Sequence, residues 1–259
     1  MSELYDMKVS GSGTIPGGEY KDVKISGSGD IVGDIKCDVV GISGSGNCRG
    51  KINSKEIKVS GSFTCNGSVE VEELIKISGS GRFGSEVKSK EIRVSGNGDF
   101  NGNVKAEEVK ISGGCNIKGN VSFNTMKISG GVDIQGDCEG TEFIGSGAGS
   151  ISGLLSADKI EVNVADNWRI KEIGGEEIIV KKENVKKFLF LTFIFRNKGK
   201  LITDCIEGDN INLEYTECKI VRGHNITIGE VCNIEKVEYS GNLTIDDKST
   251  VGEKIWMKS

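Results

Sequence analysis

One proline (Pro16), one histidine (His224) and an aromatic content of 6% in 259 residues exclude several chemistries at once. A lone histidine cannot supply a three-histidine zinc site within one chain, and His224, next to Gly223, reads as a turn residue. No CxxC pair and no GK[ST] phosphate loop occur, and GSGDIVG and GNGDFNG do not fit GxGxxG. Asp30 and Asp99 echo the calcium repeat GGxGxD, yet its nine-residue period is missing. No catalytic, cofactor-binding or metal-binding residue is assigned, and a non-enzymatic protein is expected. Basic charge is not in excess: 33 Lys and Arg are interspersed with 38 Asp and Glu, a net charge of −5, so there is no basic groove and nucleic acid is not expected as a partner. The opening MSELYDMKVS lacks the apolar stretch of a signal peptide, which points to a cytoplasmic protein with reduced thiols. Hydrophobic residues make up 36%, little for a globular core.

Glycine, by contrast, is abundant, with 38 residues, and it is periodic. Ser-Gly pairs recur at Ser10, Ser26, Ser43, Ser60, Ser78, Ser95, Ser112, Ser129 and Ser146, about 17 residues apart. A β-branched column runs ahead of them: Val9, Ile25, Ile42, Val59, Ile77, Val94, Ile111, Ile128 and Ile144. Five residues after each Ser stand Ile15, Ile31, Cys48, Cys65, Phe83, Phe100, Ile117, Ile134 and Ile151. Nine after, the column is apolar except at Glu19; fourteen after, it is apolar from Val40 through Ile57, Leu74 and Ile92 to Ile160, with Val23 taking that role in the shorter first coil. Apolar residues two apart followed by a turn residue have the period of a strand. Each coil therefore reads as three short strands with inward pairs at plus three and five, nine and eleven, and fourteen and sixteen. An interior helix position occupied by Gly costs about 1 kcal/mol, which rules out a helical reading. The expected fold is all-β: a right-handed parallel β-helix, a three-sided solenoid of about 17 residues per coil. Cys37, Cys48, Cys65, Cys115 and Cys138 fall in inward columns, and Cys205, Cys218 and Cys232 lie in similarly patterned segments; all eight are expected to act as small core residues.

The repeat decays after Ile160. One irregular coil follows through Trp168, Ile170, Ile173, Ile178 and Val180, and the pattern resumes in IEGDNINL, VRGHNITI and YSGNLTI. The expected organisation is an N-terminal cap over 1–7, a main solenoid over 8–180, an insertion over 181–200, further coils over 201–245 and a cap or tail over 246–259. The insertion holds an apolar run, Phe188, Leu189, Phe190, Leu191, Phe193, Ile194 and Phe195, interrupted by Thr192 and flanked by Lys186, Lys187, Arg196, Lys198 and Lys200. Eight residues are too few to span a bilayer, which takes about 20 in a helix. The run is a candidate for contact with a membrane surface or a partner, its flanking cations meeting anionic headgroups, or else for a strand buried against the solenoid.

Tandem K-[VI]-S-G-S-G coils with Gly seven after the Ser, alternating with segments such as KSKEIRVSG and KAEEVKISG, resemble the bactofilins, bacterial polymer-forming cytoskeletal proteins. The resemblance covers most of residues 8–162. It implies a right-handed three-sided β-helix that assembles end to end into nucleotide-free filaments at the inner face of the membrane. The partner expected on this basis is the protein itself, with a membrane surface engaged through 186–200. A terminal rung presents unpaired N–H and C=O groups, so the end-rung assembly candidates are Val9, Ile15 and Val23 at one end and Tyr239, Leu243 and Ile245 at the other. The competing reading is a monomeric or dimeric adaptor that binds a protein along one ladder face.

Overall fold

A computed structural model describes residues 4–182 and 199–258. Contacts divide the chain into two compact units, Met1–Thr125 with Gly131–Gly136, and Met126–Gly130 with Asp137–Ser259. The strands of the first are β1 (Met7–Val9), β2 (Ser12–Ile15), β3 (Gly18–Glu19), β4 (Asp22–Ile25), β5 (Ser28–Ile31), β6 (Ile35–Ile42), β7 (Ser45–Cys48), β8 (Ile52–Val59), β9 (Ser62–Cys65), β10 (Val69–Ile77), β11 (Ser80–Phe83), β12 (Val87–Val94), β13 (Asn97–Phe100), β14 (Val104–Ile111), β15 (Gly114–Ile117), the first part of β16 (Val121–Ile128), and β17 (Gly131–Ile134). The second holds the rest of β16, then β18 (Cys138–Gly145), β19 (Ala148–Val164), β20 (Trp168–Lys182), β21 (Leu201–Leu213), β22 (Thr216–Ile228), β23 (Asn233–Tyr239), β24 (Leu243–Ile245) and β25 (Thr250–Trp256). Each unit is a right-handed parallel β-solenoid.

In the first unit every strand pairs in parallel with its equivalent one coil away. Ile42 lies opposite Val59, Val59 opposite Ile77 and Ile77 opposite Val94, and all four side chains are buried. The inward pairs define three sides: side one at plus three and five, side two at nine and eleven, side three at fourteen and sixteen. Glycine at plus three on side one makes room for aromatic neighbours. A Cβ on Gly81 would meet the Phe83 ring at 3.1 Å, and one on Gly98 the Phe100 ring at 3.0 Å. The two rings stack at 5.1 Å, with Phe63 edge-on to Phe83 at 6.2 Å. Burial of each such ring contributes on the order of 2–3 kcal/mol.

From the second coil to the seventh, the glycine of the Ser-Gly pair is set by close approach, whereas a Cβ on Gly11 in the first would meet nothing within 4 Å. A Cβ on Gly27, Gly44, Gly61, Gly79, Gly96 or Gly113 would lie 2.0–2.1 Å from the carbonyl oxygen of the glycine one coil earlier. No residue larger than glycine fits while the coils stay in hydrogen-bonding contact.

Several positions differ from the sequence reading. Sides two and three form one continuous strand, such as β6 or β8, with two successive residues turned outward at the corner rather than a break in pairing. In the 18-residue coil the extra residue sits as a bulge between Val71 and Leu74, so Ile75 takes the plus-fourteen column opposite Ile57 and Leu74 is left half-buried. In the short first coil the deletion precedes residue 18: Gly18, at φ +154°, aligns with Ile35, and Glu19 faces outward. Tyr20 fills the space, its side chain 3.6–3.8 Å from where a Gly18 Cβ would lie and its hydroxyl donating to the Pro16 carbonyl at 2.8 Å.

In the second unit the β-branched column breaks at Gly145, which holds the inward place opposite Val162, while Ile144 faces outward beside it. The vacated volume belongs to Trp168. A Cβ on Gly145 would come within 2.7 Å of the indole, which meets Phe143 edge-on at 5.9 Å and is fully buried. Cys205 sits half-exposed at the corner before side two, where its register partner is Ile220, and so is not a core residue; the other seven thiols are free and buried. His224 lies within β22 rather than in a turn, at an exposed corner, with Nδ1 3.0 Å from Ser240 Oγ.

Candidate assembly surfaces

The lateral faces are closed to further strand pairing by side chains. On side three, five of the nine coils carry a base two before the Ser and an acid four before it, and the two pair along the strand: Lys8 with Asp6 at 3.2 Å, Lys24 with Asp22 at 2.7 Å, Lys58 with Glu56, Arg93 with Glu91, and Lys110 with Glu108 at 2.7 Å. Lys110 also reaches back one coil to Glu91 at 3.2 Å. Hydrogen bonds from Arg93 and Lys110 hold the Glu91 carboxyl below the usual carboxylate range. In the second unit Glu238 receives Lys236 and Arg222, each at 2.7 Å, and its carboxyl is likewise lowered, first by Lys236 and then by Arg222. Exposed pairs of this kind add little stability, but they keep a wet, charge-balanced surface. Side one of the first unit carries short polar ladders instead, with Asn47 donating to Asp30 at 3.1 Å and Asn116 to Asp99 at 2.9 Å.

The ends differ from the sides. Among the described residues β1 pairs with β4, β2 with β5 and β3 with β6, each on one edge only. Val9 on β1 is half-buried opposite Ile25, whereas Ile15 and Val23 are fully buried. At the other end β24 pairs with β22 and β25 with β23, again on one edge. Leu243 and Ile245, opposite Ile226 and Ile228, are half-buried; Tyr239 lies beneath Trp256 of β25. The segment after Asp246 thus lays a strand over sides one and two and leaves side three uncovered. The run Phe188, Leu189, Phe190, Leu191, Phe193, Ile194 and Phe195 lies outside the described residues. Its flanks do not: the Lys182 N–H donates to Glu214 at 3.1 Å, and the Lys200 ammonium to Glu217 at 2.5 Å.

Sequence reasoning did not find Leu4, Tyr5 and Trp256, large apolar side chains that stay 49%, 60% and 56% exposed. The signal available was their position beside the Ser-Gly coils' first and last apolar columns, next to strands that, among the described residues, pair on one edge only.

No helix among the described residues is long and apolar enough to cross a membrane. Parallel coils with charge-paired sides, whose outermost strands among the described residues pair on one edge only, define a protein of the β-solenoid class. The chain belongs to the bactofilin family: the family described as "Bactofilin: Polymer-forming cytoskeletal" matches residues 6–97 and 49–139, together more than half of the 259 residues. That family is a structural cytoskeletal one and not an enzymatic one. Two proteins of Bacillus subtilis (strain 168), both described as uncharacterized, are similar to it: YhbF, 40% identical over 103 residues, and YhbE, 37% identical over 102. Each match takes in 39% of this chain, and the chain spans about two fifths of the length of these curated relatives, 41% and 42%. No solved structure matches it.

Proposed function

We propose that copies of this chain assemble end to end, through their terminal rungs, into filaments that need no nucleotide and serve as a cytoskeletal scaffold. The observation that carries this reading is the pair of open strand edges, β1 to β3 at one end and β24 with β25 at the other, set against sides closed by charge pairs. An unpaired parallel edge is a template for another strand, and a scaffold built this way draws its energy from backbone pairing and core burial at each joint. Val9, Leu243 and Ile245 are the apolar side chains that such a joint buries. The absence of any GK[ST] sequence supports nucleotide independence. The run from Phe188 to Phe195, with its flanking Lys and Arg, brings the filament to the inner face of the membrane.

Negative-stain microscopy and sedimentation of the purified chain without nucleotide test the first part. Filaments that shorten as salt or dilution weakens the joints are expected; monodisperse particles across all conditions contradict the proposal and favour the adaptor reading. Liposome flotation of the full chain and of a chain lacking 188–195 tests the second. Flotation on anionic vesicles that disappears with the deletion is expected, and equal behaviour of the two proteins refutes it.

A further inference from the structure

Cys48 and Cys65 stand opposite each other in the third and fourth Ser-Gly coils. Both hold the plus-five place on side one, Cys48 at the end of β7 and Cys65 at the end of β9, and the parallel register pairs them directly. Cys37 faces Ser54, Cys138 faces Leu155 and Cys205 faces Ile220, so these thiols have no second sulfur in register. Register partners on neighbouring parallel strands lie about 4.8 Å apart at Cα, inside the range of roughly 4.4–6.8 Å that disulfides span. Their Cβ atoms, pointing the same way, must approach by roughly 0.3–1 Å to reach the ~3.8–4.5 Å of a bridge. The column has room for that shift, because the places before and after the pair belong to Ile31 and Phe83, both larger than cysteine. The sulfurs also turn to one acceptor: Cys48 Sγ lies 3.4 Å and Cys65 Sγ 3.6 Å from the Gly50 carbonyl oxygen. Cys65 Sγ is 3.6 Å from the Gly67 carbonyl oxygen as well. Gly50 and Gly67 form the half-exposed corner between sides one and two. The fully buried sulfurs therefore lie beneath backbone that carries no side chain of its own, where a small oxidant has the shortest way in.

Going beyond the assembly reading and independent of it, we propose that Cys48 and Cys65 form an oxidation site, which a peroxide converts into a disulfide that staples two successive coils. A hydrogen bond from Cys65 holds the Cys48 thiol below its usual range, and donating that bond, together with burial, pushes the Cys65 thiol up. Cys48 is therefore the nucleophile and Cys65 the resolving thiol. The Cys48 thiolate attacks one oxygen of hydrogen peroxide, the O–O bond breaks, and hydroxide leaves behind Cys48 sulfenic acid. Cys65 sulfur then attacks Cys48 Sγ, the S–O bond breaks, and a second hydroxide departs. The two hydroxides take up the two thiol protons, so that two thiols and one peroxide give one disulfide and two waters. An added dithiol reverses the bridge by exchange.

Peptide mapping of the full-length chain reads the bridge directly. The protein carries Cys37→Ser, which removes the other cysteine of the tryptic peptide 37–49, and Cys205→Ser, which removes the half-exposed thiol. Serine already stands in the Cys37 column at Ser54. The protein is treated with hydrogen peroxide at doses that leave its far-UV circular dichroism unchanged, then alkylated and digested without reductant. The expected result is the loss of two hydrogens from the intact mass and a covalent link between peptides 37–49 and 59–76 that dithiothreitol releases. The bridged form should melt several degrees above the reduced one, since the link closes a loop in the unfolded chain. In Cys65→Ser, Cys48 should instead be trapped as a sulfenic acid by dimedone; the parent measurement stands whether or not that variant folds. Recovery of Cys48 and Cys65 as free, alkylated thiols at every dose that preserves the fold overturns the proposal. So does a bridge that forms only after unfolding in urea, a link from Cys48 to any other cysteine, or a bridged form that melts below the reduced one.

Discussion

Replacing Gly61 with alanine puts the stacking of the coils under direct strain. The new Cβ would lie 2.0 Å from the Gly44 carbonyl oxygen, 2.4 Å from that of Ser43 and 2.7 Å from the Ser43 carbonyl carbon, where contacts under 3.0 Å essentially never occur. All three neighbours are backbone, so no side chain can swing away, and the two coils must part by about 1 Å. Three hydrogen bonds bridge them at this corner: Ser60 N–H to Ile42 O at 2.8 Å, Gly61 N–H to Ile42 O at 3.2 Å, and Ser62 N–H to Gly44 O at 2.8 Å. An extra 1 Å takes each beyond useful length. Losing two or three net bonds of about 1 kcal/mol each, together with the strain left in the displaced backbone, destabilises the protein by about 2–4 kcal/mol. For a chain of this size that lowers Tm by about 5–15 °C, followed by far-UV circular dichroism. Gly131→Ala is the control: its Cβ meets nothing within 4 Å, and removing glycine freedom from the unfolded chain leaves Tm unchanged or raises it slightly. If Gly61→Ala melts within a degree of the parent, or if the two variants fall equally, the coils do not approach each other as described.

Three further outcomes follow from particular contacts. Gly145→Val and Trp168→Ala should each destabilise, by about 1–3 and about 3–5 kcal/mol, but the double variant should lose clearly less than their sum because valine refills part of the indole volume; strict additivity in urea melts contradicts that packing. Burial pushes the thiols of Cys37, Cys115, Cys138 and Cys218 up to about 12, so at pH 8 these four stay protonated and hidden. Ellman's reagent should find one fast thiol, the half-exposed Cys205, in the native protein and eight after denaturation; two or more fast thiols refute this. Glu238, held below the usual carboxylate range by Lys236 and Arg222, stabilises the fold above the unfolded glutamate value of about 4.3 and loses that contribution as pH falls through its folded value. Glu238→Gln should therefore lower Tm slightly at pH 6 and converge with the parent near pH 3, whereas a constant gap across that range contradicts the assignment.

The Ser-Gly anchors made most of the first unit legible. They repeat where the backbone turns, and a methyl group there collides with the coil below, so chemistry and spacing report the same constraint. Between anchors the sequence says less. An inserted residue in an 18-residue coil fits the pattern equally well on either side of the corner, and only pairing places it before Leu74 rather than after. Exchanges of volume between coils escape a column-by-column reading altogether. Gly145 looks like a defect until Trp168, 23 residues on, is seen to fill it, and Tyr20 repairs the gap at Gly18 in the same way. Of the end-rung candidates, Val9, Leu243 and Ile245 have partly open surfaces, while Ile15 and Val23 are sealed by the first coil itself. That distinction depends on where the terminal strands lie, which no periodicity encodes.

X-ray fibre diffraction from aligned filaments addresses the joint between copies most directly. If the coils of one molecule continue into the next, strands lie across the fibre and the rung repeat of ~4.8 Å appears on the meridian, with inter-side spacings near 10 Å on the equator. A 4.8 Å reflection on the equator would mean that molecules associate through their sides, and assembly through the terminal rungs would be wrong.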